Sequence, residues 1–172
     1  MIILGLGSNM GDRFKNLEEA LHLLEIRSAV KIIAVSNIYE TAPFGVFDQP
    51  DFFNMVARVK TKLTPDELLR ECLLVENLMG RIRTQPWGPR IIDIDLLLYD
   101  EINLLSPGLT LPHPGIIERG FVIIPLADIS PEIILANGQT VAALADDFMA
   151  DKPDEVRFWR KIRWESDKKG FV

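Results

Sequence analysis

A mixed α/β domain is the fold class this sequence predicts, and three observations carry the expectation. Apolar and polar residues alternate in several short stretches, most cleanly over Phe52–Lys60, and that period marks strands with one buried face. Between these stretches apolar residues recur at three- and four-residue spacing, over about 13–27 and 65–79, which marks amphipathic helices. The length of 172 residues suits one domain, or one domain with a tail, and is enough to bury a proper core.

Taken in order, residues 2–6 form a short apolar strand that opens at once into Gly7-Ser8-Asn9-Met10-Gly11-Asp12. The glycines at 5, 7 and 11 miss the spacing of a dinucleotide-binding loop, and no P-loop lysine follows. The stretch is therefore expected to be a strand-to-helix turn in which Asn9 or Asp12 caps the next helix. Phe14, Leu17, Leu21 and Leu24 place that helix over about 13–27. The β-branched run over 30–40 predicts a strand ending at Tyr39. Thr41 to Pro50 is a loop punctuated by Pro and Gly that keeps Phe44 and Phe47, and such a loop binds something or folds over something.

The next strand puts Phe53, Met55, Ala57 and Val59 on one face and Phe52, Asn54, Arg58 and Lys60 on the other. Asn54 beside an aromatic either reads the donor and acceptor edge of a flat heterocycle or is plain edge polarity. Thr64-Pro65-Asp66-Glu67 has a cap residue, a first-turn proline and first-turn acids, so a helix starts there, runs to about Met79 and stops at Gly80. Cys72 shares its apolar stripe with Leu68, Val75 and Met79 and is read as core packing. Glu76 falls on the stripe's margin and is expected on a solvated flank.

The chemistry concentrates between residues 81 and 99. Arg81, Arg83 and Arg90 stand with Trp87, Pro86 and Pro89 in a stiff cationic and aromatic connector. Arginine forks match phosphate oxygens, and guanidinium planes stack on rings. The connector runs into a buried strand in which Asp93 and Asp95 point the same way, about 7 Å apart at their roots. Ile92, Ile94, Leu96 and Leu98 are expected on the opposite, core-facing side. Adjacent carboxylates repel unless a cation sits between them. The pair is thus either a Mg²⁺ site for phosphoryl chemistry or the solvated face of an edge strand neutralised by the arginines. The surplus of cationic and aromatic groups favours the polyphosphate and metal reading.

Beyond Tyr99, Asp100-Glu101-Ile102-Asn103 suggests a turn into a small hairpin. His113 is displayed rigidly between Pro112 and Pro114 and suits a phosphate contact. Arg119-Gly120-Phe121 precedes the apolar run Val122–Leu126, and residues 138–148 predict a short helix. The basic, aromatic run Val156–Trp164 fits strand and helix periods equally. A formal charge of −6 argues against a nucleic-acid surface, and one cysteine makes no internal disulfide. The start lacks the basic region of a signal peptide, and no apolar run approaches a bilayer span. A cytoplasmic protein with no nucleic-acid or membrane partner is expected.

Read together, Gly7-Ser8-Asn9, Gln49–Asn54, Gly80–Arg83, Trp87–Arg90 with Asp93 and Asp95, Pro112-His113 and Arg119–Phe121 resemble the 6-hydroxymethyl-7,8-dihydropterin pyrophosphokinases of folate biosynthesis, in order and over about residues 2–148. The resemblance implies a ferredoxin-like α/β (α+β) sandwich, a mainly antiparallel sheet with helices on its faces, over residues 1–150. Residues 151–172 would be a C-terminal tail packed on that domain. It implies a Mg²⁺-dependent enzyme, with two ions accompanying ATP, that moves the pyrophosphoryl group of ATP to the pterin hydroxymethyl and leaves AMP; a monomer is expected separately. Its partners would be ATP and hydroxymethyl-dihydropterin.

Position by position, the resemblance makes Asp93 and Asp95 the metal ligands and, with Arg81 and Arg90, the catalytic groups. Arg83, Trp87, Arg90, Leu96, Thr110, His113 and Arg119 would bind ATP. Thr41, Ala42, Pro43, Phe44, Phe52, Asn54 and Phe121 would bind the pterin. The sequence departs from the family pattern where a short segment with Pro86 replaces a basic residue before Trp87, where Phe52 replaces a tyrosine, and where Pro114 replaces an aromatic.

Overall fold

The computed structural model describes residues 1–27, 29–43, 48–80 and 88–172. Apolar alternation builds its centre, β1 (Ile2–Ser8), which pairs antiparallel with β4 (Phe52–Lys60) on one side and β5 (Asp93–Tyr99) on the other. The free side of β4 is shared by β2 (Lys31–Val35) and β3 (Ile38–Thr41), and β8 (Val156–Arg160) adds to β3. The six strands run β5-β1-β4-β3-β8, with β2 beside β3 on β4.

Ile2, Leu4 and Leu6 of β1 and Phe53, Met55, Ala57 and Val59 of β4 face α1 (Arg13–Arg27) and α2 (Pro65–Leu78) in one core layer. Ile3 and Val56 face α3 (Gly120–Ile129) and α4 (Val141–Asp151) in the other. The result is the expected ferredoxin-like sandwich, and its pairings are antiparallel throughout the described strands. A two-stranded hairpin, β6 (Leu104–Ser106) with β7 (Leu109–Leu111), follows β5.

Local chemistry sets the helix starts. Lys15 N–H donates to Asp12 Oδ1 over 3.1 Å, so Asp12 is the residue that caps α1. Thr64 and Glu67 make a reciprocal capping box at α2. The last helix begins at Val141, later than its apolar pattern suggests, because Gly138 turns with φ +80° and Thr140 Oγ1 then accepts from Ala143 N–H.

Three sequence expectations need correction. The strand over 30–40 is two strands, since Ser36 interrupts the ladder: its N–H donates to Val56 O, and its Oγ accepts from Val56 N–H, each over 2.9 Å. The register of β5 slips where Leu98 pairs with Ile3 but Leu96 pairs with Leu4, leaving Leu97 as an extra residue. That bulge breaks the two-residue period, so Leu98 packs with the α3 and α4 layer, away from Ile94 and Leu96. Glu76 is buried at 1 % exposure, and its Oε1 accepts from Ile94 N–H over 2.7 Å. The sheet ends at β5, and this α2 carboxylate takes a strand N–H that would otherwise face the open edge.

The C-terminal run resolves as a strand. β8 places Phe158 edge-on to Tyr39 at 6.0 Å, and a small hairpin, β9 (Trp164–Glu165) with β10 (Gly170–Phe171), follows. Phe171 then packs on Phe14 of α1 with centroids 5.2 Å apart.

Candidate active site

Two glycines leave the middle of the sheet bare on the α3 side. Gly7 is the register partner of Asn54 on β4 and Asp93 on β5, and Gly5 that of Val56 and Asp95. A methyl group on Gly7 would lie 2.9 Å from Asn54 Oδ1, and one on Gly5 would lie 3.1 Å from a Leu97 methyl. Over this floor opens a cavity of about 720 Å³, a volume ordinary for a small-molecule site.

The β4 side of the cavity is suited to a flat ring. Thr41, Ala42, Pro43, Phe52, Asn54 and Phe121 line it. Asn54 is 7 % exposed, and its Nδ2 donates to Thr41 Oγ1 over 2.7 Å. With its donor engaged there, the amide presents Oδ1 over the bare Gly7.

The β5 side is charged. Asp93 and Asp95 project from alternate positions of one strand face, as their spacing predicts. Arg90 makes an ion pair with Asp93, and Arg119 Nη1 lies 3.9 Å from Asp95 Oδ2. Gly115 gives the Arg119 guanidinium its place, since a Cβ there would meet Nε at 2.7 Å. Burial, then the charge of Asp93, pushes the Asp95 carboxyl above the usual carboxylate range, against the pull of His113 and Arg119.

The bulge in β5 also aims His113. Its backbone N–H donates to the O of Leu97, the extra residue, over 2.9 Å. His113 Nδ1 accepts from Gly115 N–H over 3.1 Å, so the ring proton sits on Nε2 as a donor. Burial holds the imidazole below its ordinary pKa, against the pull of Asp95, which keeps it neutral near pH 7.

This donor set fits a hard divalent cation. Two carboxylates crowd together, and burial penalises the charge of Asp95. Among the described residues no three acids, histidines or cysteines are arranged to hold a metal ion by themselves. A cation here would take one or two carboxylates from the chain and leave its other positions to water and phosphate oxygens, which is the habit of Mg²⁺.

One organiser escaped the sequence reading. Asn9, 1 % exposed, donates its backbone N–H to Arg90 O over 3.0 Å and accepts from Arg90 N–H at Oδ1 over 2.7 Å. Its Nδ2 donates to Gln49 Oε1 and Pro50 O, each over 3.0 Å. Asn9 is therefore a clasp that fixes Arg90 against the stretch leading into β4. A short polar residue after a strand carries the same local signal whether it caps a helix or ties distant segments.

The cavity thus gathers Thr41, Ala42, Pro43, Phe52, Asn54, Arg90, Asp93, Asp95, His113, Arg119 and Phe121, together with Lys152 and Glu155, which no motif suggested. Leu96 points into the opposite core layer, and Thr110 on β7 is not part of the lining. Phe44, Phe47, Arg81, Arg83, Pro86 and Trp87 lie outside the described residues.

Comparison with known proteins agrees across most of the chain. The 2-amino-4-hydroxy-6-hydroxymethyldihydropteridine pyrophosphokinase of Methylorubrum extorquens is 43% identical over 138 residues, 80% of this chain and 87% of the relative. The Bacillus subtilis protein of the same name is 45% identical over 130 residues, 76% of this chain and 78% of the relative. The mitochondrial folate synthesis bifunctional protein of Pisum sativum is 41% identical over 165 residues, 96% of this chain but 31% of the relative. The solved wild-type Plasmodium falciparum HPPK-DHPS with pteroate is alike in fold, with a TM-score of 0.71 at 20% identity over 91% of this chain. This chain spans 45% of that solved one. Residues 3–131 match the family described as 7,8-dihydro-6-hydroxymethylpterin-pyrophosphokinase (HPPK), and the chain belongs to that family.

Proposed function

We propose that the chain transfers the pyrophosphoryl group of ATP to 6-hydroxymethyl-7,8-dihydropterin, releasing AMP and the dihydropterin diphosphate used in folate biosynthesis. One observation carries this reading: across the bare glycines, a buried amide suited to a heterocycle faces paired carboxylates and arginines suited to a polyphosphate. Family membership supports it.

On the β4 side, Asn54 Oδ1 accepts from N–H groups on the pterin edge, with Thr41 locking the amide and Phe52 and Phe121 flanking the ring. On the β5 side, Arg90, Arg119 and the Nε2–H of His113 neutralise phosphate oxygens. Arg81 joins Arg90 as a catalytic cation, and Arg83 and Trp87 complete the ATP contacts, whereas Leu96 and Thr110, outside the cavity lining, take no part. Asp93 and Asp95 are the residues that would hold Mg²⁺, two ions with ATP, which supplies charge neutralisation to the pyrophosphoryl group when bound.

The hydroxymethyl oxygen bonds to the β-phosphorus and loses its proton to solvent, while the bond from that phosphorus to the oxygen bridging the α-phosphate breaks and AMP leaves with the electron pair. The chain provides no covalent nucleophile. Its part is to align the two substrates and hold cations and N–H donors where negative charge develops. The same reading makes residues 1–150 the body of the catalytic domain, to whose sheet the segment 151–172 adds β8. It also makes the protein a cytoplasmic monomer that engages neither nucleic acid nor membrane. Among the described residues no helix is long and apolar enough to cross a membrane.

The test is direct. Incubation with Mg²⁺, ATP and 6-hydroxymethyl-7,8-dihydropterin yields AMP in step with the pterin diphosphate. ADP as the sole nucleotide product, or no turnover, refutes the assignment.

A further inference from the structure

The loop that leaves β3 after Thr41 returns into β4 at Phe52, and a carboxylate stands on each of its stems, Glu40 and Asp51. Arg157 on β8 reaches both, with Nη2 2.7 Å from Asp51 Oδ2 and 3.4 Å from Glu40 Oε2. Arg13 on α1 joins the same stems by other atoms, donating from Nη1 to Glu40 Oε1 over 2.8 Å and to Asp51 O over 2.7 Å. Its guanidinium also lies 3.7 Å over the Phe53 ring. Arginines from opposite ends of the chain therefore staple the base of one loop. Arg157 is the one that addresses the Asp51 carboxylate.

Strand register carries this staple into the cavity. Glu40 pairs with Arg157 on β8 and with Phe53 on β4, and these three share the α1 side of the sheet. The next residue, Thr41, pairs with Val156 and Phe52 and faces the cavity, where its Oγ1 accepts from Asn54 Nδ2. Just upstream of β8, Lys152 and Glu155 form an ion pair at 3.1 Å and line the cavity themselves. Residues 152–157 thus touch the heterocycle side from both faces of the sheet.

We propose that Arg157 is a positioning residue for the pterin side of the cavity. By fastening Glu40 and Asp51 it sets the spacing of Thr41 and Phe52, and through Thr41 the aim of Asn54. The segment beyond residue 150 is then a working part of the substrate site. This inference rests on the proposed function for the identity of the ring.

The test is Arg157→Gln in the full chain, which keeps the side-chain length and removes the charge. The pterin KM rises about fivefold, as suits a half-exposed charge network, while the ATP KM, kcat and Tm stay close to those of the parent. Raising NaCl to 0.5 M raises the pterin KM of the parent more than that of the variant, because the Arg157 pairs it screens are already gone there. Asp51→Asn combined with Arg157→Gln is no worse than either alone, since both remove one interaction. An unchanged pterin KM in an active Arg157→Gln protein overturns the inference and leaves the reaction assignment intact. Equal shifts of both KM values with a lowered Tm also overturn it, by reducing Arg157 to a structural role. Failure of the parent to form AMP refutes the reaction assignment instead.

Discussion

Gly7→Ala is the sharpest probe of the site because it adds one methyl group and disturbs little else. Gly7 has no left-handed φ, so its backbone accepts alanine. The new Cβ would stand 2.9 Å from Asn54 Oδ1 and 3.7 Å from Phe52 Cδ1. An ordinary carbon-to-oxygen contact is roughly half an ångström longer, so the amide oxygen must retreat. It cannot swing freely, because Nδ2 at the other end of the amide is held by Thr41 over 2.7 Å. Bending or losing that buried hydrogen bond costs about 1–2 kcal/mol, and the acceptor no longer aims at the ring. The pterin KM is therefore expected to rise about tenfold or more, 1.4 kcal/mol being a factor of about ten. The ATP KM changes little, since Asp93 meets Gly7 through its backbone. Steady-state assays of AMP release with each substrate varied in turn give both values, and thermal melting confirms the fold. Gly11→Ala is the contrast: Gly11 has φ +62° and nothing near its missing Cβ, so it lowers stability without touching pterin affinity. A Gly7→Ala enzyme with parental pterin KM refutes the account of the floor.

Asp93→Ala and Asp95→Ala are each expected to lower turnover by orders of magnitude while circular dichroism and Tm hold or improve. Each removes a cation ligand yet relieves a crowded negative pair, and marked unfolding of both variants contradicts this. Asn9→Ala leaves Arg90 N–H without its side-chain acceptor and unties Gln49 and Pro50. Denaturant titration should show a loss of about 2–3 kcal/mol and kinetics a fall in kcat. Asn9→Asp, which keeps the acceptor for Arg90, should recover part of both. Tyr39 gives a pH test. Burial, then the charge of Asp128, pushes its hydroxyl up to about 12, whereas an unfolded phenol ionises near its ordinary value of about 10. Between those values the unfolded chain binds fewer protons, so stability falls as pH rises from about 10 to about 12, by about 2 kcal/mol in all. Tyr39→Phe flattens that stretch of the denaturation curve against the parent, and parallel curves count against the assignment.

The two long helices were legible because their signals are local: apolar stripes at helical spacing, with Asp12 and the Thr64–Glu67 box at their starts. The faces of β4 were legible for the same reason, since alternation needs no partner. What the sequence hid depends on a partner strand. Ser36 breaks a ladder only because Val56 lies opposite, and Leu97 bulges only because Ile3 and Leu4 count one residue fewer. Glu76 is buried only because β5 ends the sheet above it. The short run at β8 fits either period by itself, and the free edge of β3 decides it.

The candidate site divides along the same line. Asp93 and Asp95 were legible as a pair, because alternation alone puts them on one face. Their relation to Asn54 was not, because it is a single row across the sheet, running Asp93, Gly7, Asn54 and Tyr39 on four neighbouring strands. Two strand spacings, about 10 Å, separate the acid from the amide, with a glycine between. That separation suits a bicyclic ring on the amide whose one-carbon arm reaches toward the carboxylates. It also gives Gly7 a role that no motif states. Any side chain there would fill the span that the proposed reaction needs open, so the smallest residue in the row sets the distance over which the two substrates meet.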